Sequence, residues 1–199
     1  MRKQPRQQRS RALVESLLDA TLLCIAREGL NAATTARIAR YAGISVGSLY
    51  QYFDRKEDLY AAVLNRFVDE MSTLINDQYA RMPQATLSEF VREMLNAIWD
   101  FLERDEARYL HLSRYWNQMD SGRYLSALEH KMLMVISQVL LRHPPPQPVA
   151  DVQVRTYVLV NGIMLTLIRY IAEPAPGISR DQLIDQFSNL AQWLIHAPQ

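Results

Sequence analysis

The side chains able to carry chemistry are few and scattered. His111, His130, His143 and His196 stand singly, and Cys24 is the only cysteine in 199 residues. There is no His-Glu-x-x-His, no Glu-x-x-His pair of the di-iron type and no Gly-rich phosphate loop. Metal ligation and covalent catalysis need such groups at a fixed spacing, so the sequence points to no enzyme, no metal site and no cofactor. A lone cysteine forms no intramolecular disulfide, reads as a small buried apolar residue and fits a reducing compartment. The spacing that carries information lies between Thr34 and Lys56. Two short helical segments, 35–41 and 46–52, flank Ala42-Gly43-Ile44-Ser45. Ile38, Ala39, Ala42, Ile44 and Leu49 let them pack closely, Gly43 supplies a positive φ at the turn, and Ser45 can cap the second segment. Two short helices joined by such a turn form a helix-turn-helix, whose second helix enters the DNA major groove.

The elements that must position this unit are helical throughout. Apolar residues recur at three and four, and strand-like alternation is missing. Leu13, Leu17, Leu18, Ala20, Leu22, Ile25 and Ala26 form one broad stripe that should end at Gly29. A longer helix is predicted over 55–79, with Asp54 as cap and Glu57 reaching back as a capping box. After Met82-Pro83, further helices are expected near 86–103, 106–118, 122–142, 149–172 and 179–196, about nine in all. The fold class is therefore all-α: an N-terminal arm and three-helix DNA-binding domain over 1–56, then a larger helical domain over 57–199. The run from His143 to Pro146 reads as a stiff connection, and there is no internal repeat. The most apolar stretch, 154–171, contains Arg155, Asn161, Gly162 and Arg169 and suits burial in protein better than a membrane span. No apolar signal-peptide region follows the basic first residues, which together with the single cysteine predicts a cytoplasmic protein.

Twenty-two basic and 21 acidic side chains give a formal charge of +1. The distribution is less even than the total. Residues 1–56 hold ten basic against four acidic side chains, a charge of +6, and the remainder, with 12 against 17, carries −5. Such a polarity orients a protein on a polyanion. Residues 2–11 are expected to form an arm that is disordered without DNA, running along phosphates or into the minor groove, or serving only as a soluble tail.

The run 34–59, TTARIARYAGISVGSLYQYFDRKEDL, closely resembles the DNA-binding region of the TetR family of bacterial transcriptional repressors, and the likeness extends over about residues 9–65. That resemblance implies backbone contacts from Thr35, Ser45, Tyr52 and Lys56, groups chemically suited to phosphate oxygens. It implies a recognition face of Val46, Gly47, Ser48, Tyr50 and Gln51, where Gln51 can pair with adenine and Val46 or Tyr50 can meet a thymine methyl. Phe53 reads as core, and Arg37 and Arg40 as a solvated, electrostatically helpful face.

The resemblance further implies a homodimer joined through the last two helices, with Leu183, Phe187, Leu190, Ala191 and Leu194 as interface candidates. Such a dimer would read a palindromic double-stranded DNA operator. It also implies a small-molecule effector, of a class the sequence does not name, held among the middle helices. Trp99, His111, Tyr115, Trp116, Met119, Asn161, Met164 and Arg169 are the candidates, a mixture of apolar walls and placed polar groups. Two other readings stay open: an effector-independent regulator or activator whose middle helices are packed solid, and a helical small-molecule-binding protein or enzyme.

Overall fold

A computed structural model describes residues 4–145, 147 and 149–196, with side chains over 9–193. Arg2 and Lys3 of the expected arm, and the Leu194 side chain, lie outside the described residues. Among the described residues every regular element is helical. The elements are α1 (Gln4–Glu28), α2 (Thr35–Tyr41), α3 (Val46–Tyr50), α4 (Lys56–Arg81), α5 (Leu87–Ser113), a 3-10 turn (Trp116–Gln118), α6 (Gly122–Arg142), α7 (Val152–Ala172) and α8 (Arg180–His196).

The expected disordered arm is corrected from Gln4 onward, because the Gln- and Arg-rich stretch forms the first turns of α1. Both residue types favour helix, and Pro5 falls in the first turn, where a missing N–H costs nothing. The helix buries Leu17, Leu18 and Ile25 and stops at Gly29, whose φ of 84° is open to glycine at little cost. Cys24 is buried in the same seam, and that burial pushes its thiol above the ordinary range.

Helix α2 starts where its N-cap Thr34 accepts from the Arg37 N–H at 3.3 Å. Helix α3 ends two residues before the expected position, because the Tyr52 and Phe53 N–H groups both turn back to the Leu49 carbonyl, at 2.9 and 3.1 Å. The start of α4 is also corrected. Arg55 holds the cap position, and the carboxylate that reaches back is Asp58, three residues on, which accepts from the Arg55 N–H at 3.1 Å.

One apolar ridge runs down α4 at every fourth position: Leu59, Val63, Phe67, Met71 and Ile75, none more than 5% exposed. Its first two members pack with Ile38, Ala39 and Leu49 in a core that continues without a break into the rest of the molecule. Twenty-six residues make α4 roughly 39 Å long, so one rigid element serves both ends. Helix α5 opens with a capping box between Thr86 and Glu89. It is interrupted at 104–107, where Asp105, Glu106 and Ala107 take φ of 51°, 62° and 55°, so the predicted division into two helices is a break within one span. Helix α8 starts with another capping box, Ser179 with Gln182, and lies along α5 through Arg92 with Asp185 and Ser88 Oγ donating to the Ser188 carbonyl at 2.9 Å. Helix α7 is long and apolar enough by length and composition to cross a membrane, but it packs between α6 and α8.

Two polar networks fix α4 to its neighbours. Arg66, its side chain only 16% exposed, reaches Glu15 and Asp19 of α1 at 3.0 and 2.9 Å and Glu70 at 3.7 Å. Glu70 in turn takes Arg104 and the Tyr109 hydroxyl, the latter at 3.0 Å. Tyr60 donates to the Ala33 and Leu30 carbonyls, at 2.9 and 3.3 Å, tying the turn before α2 to the top of α4. Replacing Arg66 by Ala should lower unfolding free energy by about 1–2 kcal/mol, less than for a fully buried network because Glu15 and Asp19 stay hydrated; urea unfolding followed by circular dichroism checks it.

Burial pushes the Tyr60 and Tyr109 phenols from 10.0 to about 12. A folded-state pKa above the unfolded one gives stability that is complete below pH 10 and lost as pH rises through about 12. The protein should therefore unfold cooperatively in that window, with tyrosinate absorbance rising as helicity falls. A Tyr60→Phe, Tyr109→Phe double variant should lose less of its own neutral-pH stability over the same interval.

Candidate nucleic-acid interface and ligand cavity

The helix-turn-helix divides its side chains sharply between inside and outside. In α3, Leu49 is completely buried while its neighbour Tyr50 is 49% exposed and Val46 37% exposed. Ser45, Gly47 and Gln51 are exposed on that outward surface, Thr35, Ser48 and Tyr52 are half-buried at its edges, and Lys56 is exposed at the first turn of α4. The Thr35 hydroxyl and the Tyr50 phenol share a hydrogen bond of 3.3 Å, so the start of α2 and the end of α3 meet at this surface. Ser45 caps α3 by accepting from the Ser48 N–H at 3.0 Å, and the two hydroxyls lie 2.8 Å apart. The structure thus brings all nine predicted contact residues to one end of the molecule.

Gly47 is informative for what surrounds it. A Cβ there would meet only Ser45 Oγ, at 3.8 Å, so nothing in the chain itself requires a glycine. A side chain at this point of the first turn would project outward from α3. Phe53 is half-buried against the core, as predicted from its type. Arg37 and Arg40 are exposed, but both pair with Glu28 at the end of α1, at 2.6 and 3.5 Å, and Arg37 also donates to the Ala32 carbonyl. A hydrogen bond to Glu28 also raises the Tyr41 phenol above its ordinary value. Glu28 and Tyr60 are the positioning residues that sequence reasoning missed. Glu28 lies in the last turn of α1, close in sequence to its partners, and that proximity was the available signal.

Farther along α4 the same ridge walls an apolar cavity of about 110 Å³. Phe67, Met71 and Ile75 form one side, and Leu128, Met132 and Leu167, from α6 and α7, face them. Of the eight sequence candidates, Trp116 and Met164 line this cavity. The others are placed elsewhere, which corrects the expectation. Trp99 lies against Tyr170 and Arg180 and donates to Glu103 Oε1 at 2.8 Å. His111 is half-buried, its pKa lowered by that burial and by Arg114. The Tyr115 hydroxyl would sit 3.1 Å from a Cβ on Gly29, so it packs on the end of α1, not into the cavity. Met119 packs on the core outside this space, Asn161 donates to Glu129 Oε1 at 2.9 Å and to the Tyr157 carbonyl at 3.1 Å, and Arg169 is exposed. The actual walls are ordinary core types whose helical periodicity is the same whether they surround a void or each other.

The last two helices present an apolar outer face. Val154, Tyr157, Val158 and Leu165 of α7 are each more than half exposed, Leu190 is 37% exposed and Trp193 is 63% exposed. Gly162 lies within the α7 stripe with open space above it. Of the interface candidates, Leu190 is on this face, while Leu183 and Phe187 are half-buried, Phe187 against its own core. Ala191 is corrected: at 0% exposure it is internal packing and has no surface to offer a partner. The α7 residues and Trp193 were missed because an all-round apolar helix does not announce which face its own protomer covers.

Comparison with known proteins follows the same division. The family profile described as bacterial regulatory proteins of the tetR family matches residues 17–63. An uncharacterized HTH-type transcriptional regulator of Haemophilus influenzae is 33% identical over 104 residues, 52% of this chain and 54% of that protein, so the match spans about half its length. The HTH-type transcriptional regulator BetI of Escherichia coli is 24% identical over 153 residues, 75% of this chain and 78% of its own. A TetR-family transcriptional regulator from Mesorhizobium loti, of known structure, superposes with a TM-score of 0.71 at 16% identity, covering 94% of this chain and 96% of that one, a likeness of fold. With a capped helix-turn-helix built on α1 and α4, a family match confined to that module and an all-helical fold shared across nearly its whole length, the chain is similar to TetR-family bacterial transcriptional regulators, in sequence over residues 17–63 and in fold beyond them.

Proposed function

We propose that the protein is a cytoplasmic repressor that binds a palindromic operator as a homodimer and leaves it when a small-molecule effector enters the cavity beside α4. The observation that carries this reading is the ridge of α4, whose upper residues close the helix-turn-helix core and whose lower residues wall the cavity. Residues 1–56 serve as the DNA end and 57–199 as the regulatory and dimerisation end. The cavity speaks for an effector over a solid-packed regulatory half. Two recognition helices reach successive major grooves only when held about 34–36 Å apart. The apolar face of α7 and α8, with the gap at Gly162, suits a second copy related by a two-fold axis. An effector that binds the DNA-incompetent arrangement more tightly weakens operator binding by the same factor.

Tyr50→Ala and Gly47→Glu should each abolish operator binding while the variants keep the parent's helicity and melting temperature, since both positions face open space. Gel-shift or anisotropy titration with the DNA upstream of the gene checks this, and normal binding by either variant removes the recognition-helix assignment. Lys56→Ala should instead weaken binding to all sequences alike and reduce the slope of log affinity against log salt by about one. A salt series on operator and random duplexes distinguishes the two behaviours.

A further inference from the structure

The outer surface of α2 carries two cations that the recognition face leaves unused. The side chains of Arg37 and Arg40 are 46% and 72% exposed, yet both turn back to one carboxylate, that of Glu28 in the last turn of α1. Arg37 reaches Glu28 Oε2 at 2.6 Å, Arg40 reaches Oε1 at 3.5 Å, and the Tyr41 hydroxyl is hydrogen-bonded to the same group. Residues 37, 40 and 41 are three and four apart, so they share one face of α2, and a single carboxylate of the neighbouring helix gathers all three. We infer, resting on the DNA-binding reading above, that Glu28 governs DNA affinity: it withholds Arg37 and Arg40 from the phosphate backbone and so limits the part of binding that is blind to sequence.

Distance is what makes the restraint matter. Arg37 stands two residues beyond Thr35 and Arg40 five, about 3 and 7.5 Å of helix rise. Charges act on one another over about 8 Å at physiological salt, so both guanidiniums feel any phosphate that the Thr35 hydroxyl meets. Arginine grips phosphate with the same two-pronged geometry it uses for carboxylate, so a free guanidinium here would add a phosphate contact. Glu28 holds them back because its side chain is only 21% exposed. A carboxylate with so little water is costly to leave unpaired, and its bond to Arg37 is a short, charge-assisted one. Phosphate contacts strengthen binding to every sequence alike. With two of them withheld, the outward side chains of α3 supply a larger share of the affinity.

The salt dependence of binding to random-sequence duplex DNA tests the inference on the full-length protein and needs no known operator. Glu28→Gln keeps a carbonyl for the two guanidiniums and removes the charge. It should raise affinity about tenfold and steepen log affinity against log salt by about one to two units, roughly 0.9 for each phosphate gained. Replacing Arg37 and Arg40 together by Gln should leave the slope of the parent unmoved, yet return the slope of Glu28→Gln to the parent value. In the parent the guanidinium resonances of Arg37 and Arg40 should hold their positions on saturation with DNA while the Lys56 ammonium resonance moves, a reading that needs no variant. An unchanged slope in Glu28→Gln, a steepening that survives loss of both arginines, a parent slope already lowered by losing them, or guanidinium resonances that shift with DNA would each overturn the assignment. The DNA-binding reading is scored separately. A parent that binds duplex with a steep salt dependence sustains that reading whichever way these comparisons fall, whereas a parent that binds no duplex overturns both.

Discussion

Everything in this molecule depends on one helix being buried along a single line. Leu59, Val63, Phe67, Met71 and Ile75 repeat at every fourth residue of α4, and all five are removed from water. A four-residue repeat keeps these side chains on one ridge, which other helices can grip over its whole length. Helices α1, α5 and α6 pack against it, and α7 faces it across the cavity. An α-helix resists bending far more than its neighbours resist small shifts, so under the proposed function a displacement at the cavity end would be delivered at the DNA end. The physical requirement for coupling two remote sites is an element with two positions that both sites bias, and α4 is the element in contact with both.

Polar interactions place that ridge without competing with it. Arg66 and Glu70 collect Glu15, Asp19, Arg104 and Tyr109 at the meeting of α1, α4 and α5, and Tyr60 ties the α1–α2 turn to the top of α4. Glu28 has a different effect, since it neutralises Arg37 and Arg40 locally. The excess positive charge of the first 56 residues is thereby left to side chains such as Lys56, Arg9 and Arg11, which lie at the surface. The opposite charge of the remainder keeps that half from competing for the same polyanion.

Local features are legible in the amino-acid sequence. The positions of α2 and α6, the Gly29 and Gly43 turns, the Ser45 cap, the burial of Cys24 and Phe53 and the break near residue 104 each rest on signals within a few residues of one another. The surface placement of the nine predicted contact residues is legible too, because a two-helix unit with a fixed turn leaves little freedom in which side chains face out. Sequence and structure part where neighbouring signals compete. Asp54 and Glu57 offer a plausible cap, and the chain uses Arg55 and Asp58 one residue later. A basic, glutamine-rich start suggests a loose arm, and helix propensity carries α1 back to Gln4.

What the sequence determined by itself is the fold class, the DNA-recognition module and the polarity of charge, since periodicity, capping and turn geometry are properties of short stretches of chain. The cavity and the outward apolar face were decided only by tertiary structure. Trp99 and Trp116 look alike in sequence, yet one donates to Glu103 and the other is a cavity-lining residue whose N–H is buried without a partner. Ala191 and Leu190 are adjacent, yet one is sealed inside and the other faces out. Whether an apolar residue fills a core, lines a cavity or awaits a partner depends on which helices, distant in sequence, come to lie against it. No local pattern encodes that, because a helix presents the same apolar stripe to whatever covers it.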